Sequence, residues 1–116
     1  MLIPKPDNLA YEDFVKLDIR AGTVIQAEPV PKSKKLLKLN VDFGVEIGSR
    51  VIVAGIAESY DVVSIIGQKV VAVLNLAPRS IMGLTSNGML LAGRTDDQSH
   101  ISLVQCQGVR DGSNIG

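Results

Sequence analysis

The stretch LLKLNVDFG, residues 36–44, alternates without a break. Leu37, Leu39, Val41 and Phe43 share one parity, and Lys38, Asn40 and Asp42 share the other. Period-two alternation puts every apolar side chain on one face of a pleated strand. A slip of one residue would turn the whole set into water, so the register is strongly specified. An amphipathic helix cannot use this pattern, because its apolar positions recur every three to four residues. The chain must therefore build a sheet with one buried face.

The remaining apolar runs are short and lie between turn signals, which extends the strand reading to the whole chain. In LDIRAGTVIQAE, residues 17–28, Leu17, Ile19, Ala21, Thr23 and Ile25 share one parity and are expected to face in, with Gly22 marking a bulge or bend. RVIVAGIA, residues 50–57, is almost continuously apolar, as expected of a strand covered on both faces. SYDVVSIIG reads as a helix of one or two turns, with Ser59 as N-cap and Gly67 as its stop. KVVAVLNLAP is a fourth strand, and MLLAG with ISLVQC forms a last pair around the polar loop RTDDQSH. A further short helix through Tyr11 and Phe14 is expected near the start, capped by Asp7 or Asn8. In LTSNGMLLA, Asn87-Gly88 between apolar runs is a hairpin signal, because both central residues tolerate positive φ. The expected fold is all-β: a five-stranded OB-fold barrel with a short helix between strands 3 and 4. Residues 1–10 form an extension, and residues 11–116 form the barrel domain.

Chemistry is excluded more easily than it is found. The lone histidine, His100, sits in a solvated polar loop, and Cys106 alternates with Val104 as a small buried residue. One cysteine rules out an internal disulfide and a cysteine-built zinc site, and is expected in a reducing compartment such as the cytoplasm. No phosphate-cradling glycine loop, dinucleotide fingerprint or metal-ligand spacing occurs. No catalytic residue, cofactor or metal site is expected, and the chain reads as a non-enzyme. No apolar run approaches the ~20 residues of a membrane helix, and MLIPKPDNLAYEDF lacks the charge and apolar order of a signal peptide.

Binding is the better prospect. The 12 basic and 12 acidic residues cancel, so a polyanion must be held by a local patch. Lys32, Lys34 and Lys35 crowd one loop around Ser33, and Lys38 projects from the strand that follows. Such lysines can contact phosphates without reading bases. With two Tyr, two Phe and no Trp, the chain lacks an aromatic platform for single strands, and Tyr60 is the main exposed candidate. Recognition of a folded RNA by shape fits better.

The segments FVKLDIRAGTV, AEPVPKSKKLLKLNVDFG, RVIVAGIA, IGQKVVAVLNLAPRSIMG and SNGMLLA, in that order, resemble the tRNA-binding domain. That domain occurs as a free-standing protein and as a C-terminal appendage of methionyl-tRNA synthetases, and its OB part recurs in the cytokine-like synthetase-associated polypeptides. The resemblance implies grip on tRNA by shape, without an anticodon code, and homodimerisation. It places tRNA contacts on Lys32, Ser33, Lys34, Lys35 and Lys38, on Arg79 of the NLxPRxIxG segment, and on Ser86, Asn87, Gly88 and Met89 of SNGM. On this reading Ser86 and Met89 flank a surface turn. Possible partners are tRNA, a second copy and methionyl-tRNA synthetase. A sister branch, the CsaA-type export chaperones, tends to lose the SKKLLKL and SNGM patterns that this chain keeps, but leaves a protein-binding alternative open. A surplus apolar face on KVVAVLNL also calls for a cover, from the termini or from a second copy.

Overall fold

The computed structural model describes residues 4–116. Its elements run α1 (Tyr11–Phe14), β1 (Ile19–Pro29), β2 (Leu37–Asp42), β3 (Ser49–Ala54), β4 (Lys69–Val73), β5 (Arg79–Ile81), β6 (Leu84–Ser86), β7 (Met89–Leu90), β8 (Ala92–Arg94) and β9 (Ile101–Leu103). Five strands form an antiparallel sheet in the order β3-β2-β1-β4-β7, while β5-β6 and β8-β9 form two-stranded ribbons. The sheet curls into a nearly closed, OB-like barrel.

The alternation of β2 survives intact: Leu37, Leu39, Val41 and the following Phe43 are buried around the barrel axis. The parity expected for β1 does not. Val24 pairs with Val41 and Gln26 with Asn40, so Ile25 is an extra residue and stands exposed. This bulge bends the strand, letting its first half pair with β4 and its second with β2. Ala21 is fully buried and Ile25 is not, while the inward position beside Val24 falls to a glycine, Gly22. The reason is Phe43: a Cβ at Gly22 would stand 2.6 Å from two ring carbons, so the ring occupies the space a side chain would need.

Ile19, Val71 and Val73 form a second, outer cluster, against which Leu91, Cys106 and Ile115 pack. A C-terminal strap covers this face. Gly112 donates to the Ala21 carbonyl, Ala21 to Ser113 and Ile115 to Ile19. Thr23 and Lys69 both bind the Asp111 carboxylate, at 2.6 and 3.1 Å. The surplus apolar face of β4 is thus covered from within the chain. The other expected cover, MLIP, lies mostly outside the described residues.

The helix expected over residues 59–67 is a pair of turns. Asp61, not Ser59, organises it: one carboxylate oxygen accepts the amides of Val63 and Ser64, which pulls Asp61 below the ordinary carboxylate range, the Ser64 amide contributing most. Ser59 instead accepts the amide of Ile101, and the Tyr60 hydroxyl accepts that of Leu103. These bonds tie the turns to β9 and leave no free run for a helix. The α1 turn forms as expected, but Ala10 occupies its N-cap, with no side-chain cap.

Candidate nucleic-acid interface

The loop between β1 and β2 is built on Ser33. Its hydroxyl accepts the amides of Lys35 and Leu36, its own amide reaches Val30, and Lys35 accepts the amide of Ala57. Val30 is buried and anchors the base. Ser33 therefore shapes the loop, and Lys32, Lys34 and Lys35 stand exposed on it. Lys32 sits at φ 67, which turns the chain sharply between Pro31 and Ser33. Among the described residues these three lysines form no ion pair. Lys38 meets Glu28 at 3.2 Å, a partly exposed pair of the kind that contributes little to stability. Gln26, Glu28, Lys38, Asn40 and Val51 line a shallow groove on the outer face beside the loop.

The SNGM element is not the surface turn expected. Ser86 is 2% exposed. Its Oγ accepts the Val53 amide at 2.9 Å and donates to the Gly88 carbonyl at 3.1 Å, while Asn87 donates its amide to Val51 at 2.8 Å. These bonds satisfy the outer edge of β3 and close the barrel against β7. The Ser86 hydroxyl gives its one proton to Gly88 and accepts the Val53 amide inside the protein, away from the surface. Gly88, at φ 146, passes close over Ile52, and Met89 pairs with Val73 and is 40% exposed.

The reversal lies elsewhere. Met82 and Gly83, at φ 48 and 80, form the two-residue connection between β5 and β6. Two positive values are the mark of the tight hairpin turn that matches strand twist. Arg79 is exposed at the base of this hairpin. Register brings the parts together: Lys38 lies opposite Val53, and Val53 is bonded to Ser86. Lysine loop, β3 and the 79–86 hairpin are therefore neighbours, roughly 5 Å per strand apart.

Lys5, Arg94 and Arg110 are exposed elsewhere, while three further basic groups are occupied. Arg20 binds Asp18 and the Gly112 carbonyl, Arg50 the Leu74 carbonyl, and Lys69 the strap. Tyr60 is half-buried with its hydroxyl bonded, so the expected stacking ring is not free. Sequence reasoning overlooked one signal. No Asp or Glu occurs between Glu28 and Asp42, or between Asp61 and Asp96. On a neutral chain, these two acid-free stretches supply the loop and the hairpin.

Residues 19–114 match the model of the family described as "Putative tRNA binding domain". The methionine–tRNA ligase of Protochlamydia amoebophila is 52% identical over 104 residues, covering 90% of this chain and 14% of that protein. The chain spans about one seventh of the length of the curated relatives it matches. Two solved structures share the fold throughout. The MetRS-related protein from Pyrococcus horikoshii has a TM-score of 0.88 at 33% identity, covering 96% of this chain and 100% of that one. The chaperone CsaA from Bacillus anthracis has 0.84 at 34%, covering 94% and 99%. Barrel, loop and sequence agree on one assignment: the chain belongs to the tRNA-binding domain family.

Proposed function

We propose that the protein binds tRNA through phosphate and shape contacts, without catalysing a reaction on it, in the cytoplasm. The observation that carries this is the family match over the whole barrel, joined to a hydrogen-bonded loop whose three lysines are exposed without ion-pair partners among the described residues. Lys38, freed from Glu28 by a competing phosphate, extends the track onto β2. A gel shift with whole tRNA, an isolated anticodon stem and an unstructured RNA tests the reading. Retention of whole tRNA over the unstructured RNA supports it, and equal affinity for all three removes shape from it. Association with a methionyl-tRNA synthetase, or residence within one, is the second part of the proposal, supported by the ligase relatives. A pull-down with the synthetase tests it.

The likeness to CsaA supports a chaperone-like reading as the alternative. An unfolded-protein aggregation assay separates the two, since tRNA should compete with any client held at the lysine loop.

A homodimer is also proposed, but not for the reason expected from β4, whose outer face the strap covers. The support is a groove formed by Tyr11, Phe14, Val15 and Leu17 with Ile115, in which Tyr11 is 74% exposed. Light scattering at micromolar concentration tests it, and a monomer of 12.4 kDa refutes it.

A further inference from the structure

The hairpin carrying Arg79 and Met82 is held at both ends. At its entry, Asn75 accepts the Asp18 amide at 2.8 Å and donates to the Lys16 carbonyl at 2.6 Å. Leu74 donates to Asp18 and accepts from Arg50. At its exit, Ser86 and Asn87 are bonded to Val53 and Val51. Between these anchors, residues 76–80, 82, 83 and 85 are exposed, and the stretch contains no acid. The fold thus fixes the position of a segment that buries little of itself.

Met82 stands at the tip, 56% exposed, at φ 48. A non-glycine residue at positive φ is disfavoured, and Asn or Gly would fill that turn position at lower cost. A flexible thioether displayed there in spite of that cost stands at the tip of a hairpin whose base, at Ser86, is bonded to Val53 opposite Lys38, within a stretch of the chain that has no acid. We infer that Met82 is a nucleic-acid contact, carried with Arg79 on this pinned hairpin and seated against an unstacked base or ribose of the RNA. The inference rests on the tRNA-binding reading. Arg79 takes a phosphate, Met82 the adjoining apolar face, and Asn75 and Ser86 act as positioning residues that hold both at a set distance from the lysine loop.

The test compares whole tRNA binding and melting temperature for the wild-type chain, Met82→Gly, Met82→Glu, Arg79→Gln and the double variant Lys34→Glu with Lys35→Glu. Glycine suits the turn, so Met82→Gly should melt no lower than wild type while binding tRNA about two- to tenfold more weakly, the range of a sulfur–aromatic contact. Met82→Glu should bind more weakly still, and Arg79→Gln should lower the salt slope by about one. If the lysine variant loses binding while both Met82 variants bind like wild type, the tRNA reading stands and this inference falls. If Met82→Gly melts lower than wild type, the thioether packs against the fold and the inference also falls. If the wild-type chain binds no tRNA, the underlying reading fails first.

Discussion

Ser86 holds Val53. The serine oxygen takes the valine amide at 2.9 Å across 33 residues of sequence and returns its own proton to Gly88. A side chain stands where the next strand's carbonyl would be, because β6 and β7 part company there and leave β3 with an unmatched donor. The hydroxyl completes the ladder with one atom.

Ser86→Ala should therefore destabilise the barrel. It strands a buried amide, which costs about 1–3 kcal/mol. For a domain of this size that is a fall in melting temperature of several degrees, on the order of 4–8 °C per kcal/mol. Thermal unfolding by circular dichroism checks it. An unchanged melting curve would mean that water or a neighbour satisfies Val53 equally well.

Gly22→Ala should be costly for a different reason. Its new Cβ would meet the Phe43 ring at 2.6 Å and the Asp42 carbonyl at 2.9 Å. Overpacking of this kind costs about 1–3 kcal/mol. Phe43→Leu creates space and should itself destabilise, but Gly22→Ala in that background should cost less than in the wild type. A double-mutant cycle in urea measures the difference, and additivity would show that the ring is not the obstacle.

Lys34→Glu with Lys35→Glu should abolish most tRNA affinity at moderate salt and lower the slope of log K against log salt by about two. Both side chains are exposed, so the melting temperature should hold. Filter binding between about 50 and 200 mM salt reads both quantities.

The 95–100 loop should respond to acid late. Asp97 accepts the Ser99 amide, the Ser99 hydroxyl and the Thr95 hydroxyl. These bonds, the Ser99 amide first, lower its pKa from 3.8 to about 2. A depressed carboxylate stabilises the folded loop above the unfolded value and loses that contribution as pH falls through the folded one. The Ser99 amide resonance should hold its position to about pH 3 and move near pH 2. Movement centred at pH 4 would show that the bonds are not kept in solution.

The strands and their faces were legible wherever pairing is regular. In β2, hydrophobicity alone decides the face. In β1 it could not, because a bulge at Ile25 adds a residue without changing composition, and because the inward position is held by the absence of a side chain at Gly22. Asn87-Gly88 carried a stronger turn signal than Met82-Gly83, yet the turn formed at the weaker one. The edge of β3 needed partners at Ser86 and Asn87, and that requirement is tertiary, invisible in a window of four residues. The lysine loop was legible because charge clusters survive folding unchanged. Ser86 was misread because a hydroxyl looks alike whether it faces water or an orphaned amide.

The strap has a consequence for how the molecule comes into being. β1 is an early strand, yet one edge of its first half is matched by Gly112, Ser113 and Ile115, roughly a hundred residues further on. During synthesis at ~5–20 residues per second, that edge waits several seconds for its partner, while Ile19 and Ala21 remain uncovered. Loop closure over so long a span is slow, so docking of the strap should follow the curling of the sheet. A nascent chain stalled before Asp111 should present an open strand edge, the form in which a newly made barrel is most exposed to aggregation.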